Sequence, residues 1–155
     1  MSAPSTDGEI MPITVEQVKS KAQRILTDYY GSVRIDRDGD FVVTKGSAVA
    51  YIKVAQFGDD SVVVQIKCPL VQDAPMSPEL CRWVAVEGQQ YWFGGCSLNP
   101  SADGATAWVY FKHSILGDDL DESELLRSVA AVVVSGDQLD NELQAKFGGT
   151  LFGSE

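Results

Sequence analysis

The chain holds one histidine, His113, and three cysteines, Cys68, Cys81 and Cys96. An imidazole beside a hydroxyl or thiol can take its proton and make it a nucleophile. Ser114 follows His113 directly, and any of the three thiols could serve in its place. However, no nucleophile elbow of the form G-x-S-x-G occurs, and no local cysteine-protease signature surrounds a cysteine. His113 therefore reads as a strand-end residue with local hydrogen bonding. The cysteines are odd in number and widely spaced, without the paired C-x-x-C of a zinc site. They read as reduced, mostly buried small residues.

Two acidic stretches could hold a cation. Asp36-Arg37-Asp38-Gly39-Asp40 resembles the start of a calcium loop, but its glycine falls at position four rather than six. Ser47 stands at position twelve, where a bidentate Glu is needed. A hairpin turn is the better reading. Gly117 to Glu124 holds five carboxylates in eight positions. Carboxylates are also favoured at a helix start by the dipole alone, which is the reading adopted. Gly94-Gly95 and Gly148-Gly149 belong to neither phosphate-loop pattern. The sequence thus assigns no catalytic residue, no metal ligand and no cofactor site. A small hydrolase or metal-binding enzyme using His113 or the acidic junction ranks third among the functional readings.

The aromatic residues give a different signal. Trp83, Tyr91, Trp92, Phe93, Trp108, Tyr110 and Phe111 crowd one part of the chain. Tyr91-Trp92-Phe93 are consecutive and cannot all point inward from a regular strand. Trp108 and Tyr110 take the face opposite Phe111. At least one of these rings is expected at a partner surface, where aromatics are enriched.

The elements that must position these groups follow from periodicity. Val15, Val18, Ala22, Ile25, Leu26 and Tyr29 form a helical stripe, opened by the capping pair Thr14 and Gln17 and stopped at Gly31. The period then falls to two. Short strands are expected around Val33–Ile35 and Phe41–Val43, then about Ala48–Phe57 and Val62–Cys68, with Pro69 as the end. Ser77-Pro78-Glu79 opens a second helix with Leu80, Trp83 and Val84 on its apolar side. Strands follow at Tyr91–Leu98 and Ala105–Ile115. Asp121 and Glu124 then open a long final helix, with a kink or split expected at Ser135-Gly136 and an end at Gly148-Gly149. The order α-β-β-β-β-α-β-β-α means an α+β domain with an antiparallel sheet. A tail over 1–12, one domain over 13–150 and a C-terminal tail over 151–155 are expected.

Bulk composition narrows the function. The chain has 155 residues and a formal charge of −10, from 12 Lys plus Arg and 22 Asp plus Glu. That balance argues against nucleic acid and anionic membranes as main partners. No apolar run approaches the about 20 residues of a membrane span. The N-terminal MSAPSTDGEIMP lacks the basic and apolar regions of a secretory signal, so a cytoplasmic protein is expected.

The run Phe111-Lys112-His113-Ser114-Ile115-Leu116-Gly117-Asp118-Asp119-Leu120-Asp121-Glu122-Ser123-Glu124-Leu125-Leu126 resembles the YbjN-like proteins. So does Asp137-Gln138-Leu139-Asp140-Asn141-Glu142-Leu143 through Phe147-Gly148-Gly149. The resemblance extends over roughly Thr14 to Gly149 and is nearest to actinobacterial members, which group with type III secretion chaperones. It implies a secretion-chaperone-like fold, a central antiparallel sheet flanked by helices, often as a homodimer. The implied activity is binding of a peptide or protein client without catalysis. A regulatory adaptor of one protein complex is the alternative. The Trp92–Cys96 stretch is more glycine-rich than the family pattern, and Ser135-Gly136 inside the last helix is unusual. Leu80, Trp83, Val84, Tyr91, Trp92, Trp108 and Tyr110 are the expected partner or dimer surface. Trp92→Ala is expected to weaken client binding or dimerisation more than folding.

Overall fold

A computed structural model describes residues 12–153. The expected tail over 1–12 lies, apart from Pro12, outside the described residues. Helix α1 spans Val15–Tyr30. Thr14 accepts from the Gln17 backbone while the Gln17 side chain accepts from the Thr14 backbone, so two end donors are satisfied together. Gly31, at φ 87°, stops it. Strands β1 (Arg34–Ile35), β2 (Phe41–Lys45), β3 (Ala48–Phe57) and β4 (Ser61–Pro75) then run as an antiparallel meander. The Asp36–Asp40 stretch is the expected hairpin turn: Asp36 Oδ1 accepts from the backbone N–H groups of Asp38 and Asp40, each at 2.9 Å.

Helix α2 (Pro78–Val86) is capped by Ser77, which accepts from Leu80 N at 3.1 Å. A 3-10 turn over Glu87–Gln89 leads to β5 (Gly95–Pro100) and β6 (Thr106–Leu116). Helix α3 (Glu122–Phe147) follows, capped by Asp121. A short β7 (Thr150–Leu151) pairs with β4. The sheet order is β1-β2-β3-β4-β6-β5, all antiparallel, with β7 beside the far end of β4. This is the expected α+β order, with β7 added.

Three local expectations change. Pro69 does not end its strand. β4 continues to Pro75, and the ladder shifts register between Pro69 and Val71 and again before Ala74. The proline cannot donate to the ladder, and the first register shift follows directly after it. The strand expected over Tyr91–Leu98 starts only at Gly95, because Gly94 adopts φ 101° and bends the chain. Ser135-Gly136 does not split α3, which runs as one continuous helix from Glu122 to Phe147.

All three helices pack on one face of the sheet. Val18 of α1, Val129, Val132 and Val133 of α3, and Leu80 and Trp83 of α2 join one core with Ile52, Ile66 and Phe111. Strand residues alternate between faces. Ala48, Ala50, Ile52 and Val54 of β3 are buried toward the helices, while Val49, Tyr51, Lys53, Ala55 and Phe57 face the other way. On β6, Ala107, Val109 and Phe111 face the core, and Trp108, Tyr110 and Lys112 do not.

Candidate protein-interaction surface

The sheet face without helices is where the unexplained aromatics gather. Trp108 and Tyr110, two apart on β6, stack with ring centroids 5.9 Å apart and an interplanar angle of 28°. Phe152, just beyond β7, lies 6.0 Å from Trp108 and 6.1 Å from Tyr51. β7 holds it there: Leu151 pairs with Val71, and Phe152 N donates to Leu70 O at 3.2 Å. Lys67 of β4 places its Nζ 4.9 Å from the centre of the Tyr110 ring. Partial burial raises the Tyr110 phenol above its ordinary value, and a hydrogen bond from Asn99 opposes that. These aromatic side chains are half-buried in the single chain. An apolar platform with a cationic rim can hold an extended or amphipathic segment by contact area.

The expected surface residues fall in four places. Leu80, Trp83 and Val84 are buried on the helix side, with Leu80 0% and Trp83 9% exposed. Trp83 packs edge-on against Phe147 of α3 at 6.2 Å. Tyr91 is half-buried and packs edge-on against the core ring of Phe111 at 5.0 Å. Burial raises its phenol first, then the neighbouring Cys96 and Glu142. Trp92 is 96% exposed in the loop before β5, beside Phe93. Trp108 and Tyr110 are the pair that meets on the helix-free face. Sequence reasoning did not pick out Tyr51, Lys67 or Phe152. The period of two on β3 and β4 could have pointed to the first two. Phe152 depends on β7, which two residues cannot announce.

The groups that could do chemistry lie elsewhere. His113 is half-buried on β6, with its ring edge-on to Phe93 at 5.9 Å. Among the described residues, no serine, cysteine or carboxylate hydrogen-bonds to it. Cys68 and Cys96 are buried and Cys81 is exposed; all three are free thiols. Asp118 accepts from Val62 N at 2.8 Å and Ser61 Oγ at 2.9 Å, clamping the start of β4. Asp121 accepts from Glu124 N at 3.0 Å as the cap of α3. The acidic junction thus serves the backbone, and no metal-ligand cluster occurs among the described residues. Among the described residues, no helix is long and apolar enough to cross a membrane.

No curated protein matches the chain in sequence. Among solved structures, it resembles a chain from the crystal structure of the ExsC–ExsE complex, with TM-score 0.57 and 12% identity. The match covers 79% of this chain and 93% of that one. The likeness is one of fold and agrees with the expected secretion-chaperone-like α+β architecture. A family model matches residues 16–155, nearly everything from α1 onward. The chain therefore belongs to the TY-Chap1 family, described as T3SS (YopN, CesT) and YbjN peptide-binding chaperone 1.

Proposed function

We propose that this chain is a non-catalytic, chaperone-like protein that holds a peptide or protein segment of a client. The observation that carries the reading is the helix-free sheet face, where Tyr51, Trp108, Tyr110 and Phe152 lie side by side and half-exposed. The core is complete without them, so their area is available to a partner. Membership of a family described as peptide-binding chaperones supports the same reading. The reading also has the protein acting in the cytoplasm as a homodimer. Trp92 and Phe93 stand exposed beside β5, an edge strand, which supports a second copy at that edge.

The test is a pull-down from native cytoplasm, with the solution mass of the purified protein measured alongside. A dimer that retains one or a few specific proteins is expected. Trp108→Ala with Tyr110→Ala abolishes retention while the helical circular dichroism signal persists. Trp92→Ala shifts the mass toward the monomer. One tight partner would identify an adaptor, and many weak ones a general chaperone. A monomer that retains nothing overturns the reading.

A further inference from the structure

The helix-free face also carries a row of cations. In the strand register, Arg34 lies opposite Val42, Val42 opposite Tyr51, Tyr51 opposite Lys67, and Lys67 opposite Lys112. Residues directly opposite share a face. One row thus crosses five strands, about 20 Å at ordinary strand spacing, and it holds Arg34, Lys67 and Lys112. The aromatic patch adjoins it, since Lys67 sits over the Tyr110 ring.

Three features set this row apart. First, the whole chain carries a charge of −10, so a cationic row runs against its average. Second, the face positions of β3, of β6 and of β4 up to Pro69 include no acidic residue. The one salt bridge among the described residues joins Lys146 and Glu142 of α3. Lys53, on the same face, is set aside because it lies close enough to Asp40 to favour that carboxylate's charge. Third, Lys67 and Lys112 stand directly opposite each other, where like charges disfavour folding and a bound anion would relieve them.

We infer that this face docks an acidic, amphipathic segment of a client protein. Its carboxylates lie along Arg34, Lys67 and Lys112, and its apolar side chains lie on Trp108, Tyr110 and Phe152. The inference rests on the client-binding reading and adds the chemical class of the client. A duplex nucleic acid fits poorly, because three cations on a strongly acidic protein neutralise too few phosphates.

The test is a display selection of random 12-residue peptides on the full chain, with titrations of the enriched peptides and of an oligothymidylate. The expected pool is rich in Asp and Glu interspersed with aromatic and aliphatic residues. Lys67→Gln with Lys112→Gln then weakens the enriched peptides about tenfold, as two lost ion pairs would. Arg82→Gln, on α2 and away from the face, leaves the affinity unchanged. An enriched pool without acidic bias overturns the inference but leaves client binding standing. So does an acidic pool insensitive to the lysine substitutions. Enrichment of no peptide overturns both. Tighter binding of the oligothymidylate than of any peptide overturns the inference as well.

Discussion

Gly136 of α3 lies directly against Cys68 of β4, so close that a Cβ at position 136 would stand 2.5 Å from the Cys68 sulfur. Both residues are buried. A glycine in a helix interior costs about 1 kcal/mol against alanine. Here that cost accompanies the close approach of a 26-residue helix to the sheet. The missing side chain at Gly136 is what lets the continuous helix lie this close to β4.

Gly136→Ala therefore destabilises the fold, since overpacking costs about 1–3 kcal/mol and outweighs the gain in helix propensity. In a Cys68→Ala background the sulfur is gone, and the same substitution becomes stabilising by up to about 1 kcal/mol. Urea unfolding of the four proteins of the cycle measures this. Equal effects of Gly136→Ala in both backgrounds would rule out the contact as the cause.

Burial also sets the reactivity of the cysteines. Desolvation pushes the Cys68 and Cys96 thiols up to about 12. Neither carries a useful fraction of thiolate near neutral pH, and thiolate is the reactive form. Cys81 is exposed on α2. One thiol should react quickly with a disulfide reagent at pH 8, and the other two only on unfolding. Two or three rapid equivalents in the native protein would contradict the burial.

Much of this fold is written in local pattern. The cap pairs Thr14–Gln17 and Asp121–Glu124 and the Asp36–Asp40 turn involve residues a few positions apart, so their chemistry is visible along the chain. The helix-free face was half visible: alternation on β6 separated Trp108 and Tyr110 from Phe111. Which neighbours they meet was not visible, because β4 lies between β3 and β6 only once the sheet order is known. Leu80, Trp83 and Val84 read as a short surface stripe but are buried. The partner that covers Trp83 is Phe147, 64 positions away on α3. The reading of Pro69 failed for a similar reason: a bulge depends on the partner strand, not on the proline alone.

The turn before β2 makes stability depend on pH. Burial raises the Asp40 carboxyl above its ordinary value of 3.8, the Asp36 carboxylate raises it further, and Lys53 opposes both. A raised value means that the folded state holds the proton more tightly than the unfolded chain does. Ionised Asp40 therefore subtracts stability above its folded-state value. That penalty fades as the pH falls through this value and is absent below 3.8. Asp40→Asn should stabilise the protein at pH 7, with the gain gone at pH 3. Thermal unfolding of both proteins at the two pH values decides it, and a gain that persists at pH 3 would exclude ionisation as the source.

The β2–β3 turn is fastened to α3 by a serine. Ser47 Oγ donates to Asp140 Oδ2 at 2.6 Å, and Ser47 N donates to Asp137 Oδ1 at 3.0 Å. Asp140 is only 4% exposed, and its other oxygen accepts from Asn141 N at 2.7 Å and Asn141 Nδ2 at 3.1 Å. Gly46, at φ 58°, leaves the Asp137 carboxylate the space that a Cβ would fill. Ser47→Ala strips Asp140 Oδ2 of its donor while the charge stays buried. A buried acceptor left unpaired costs about 1–3 kcal/mol. Removing both partners, as Ser47→Ala with Asp140→Ala, should cost less than the sum of the two single changes, because no orphaned carboxylate remains. Amide exchange at Gly46 and Ser47 should quicken in the single variant ahead of the rest of the sheet. If Ser47→Ala leaves both stability and exchange unchanged, the turn is held by its own backbone, and the 2.6 Å contact adds nothing to the fold.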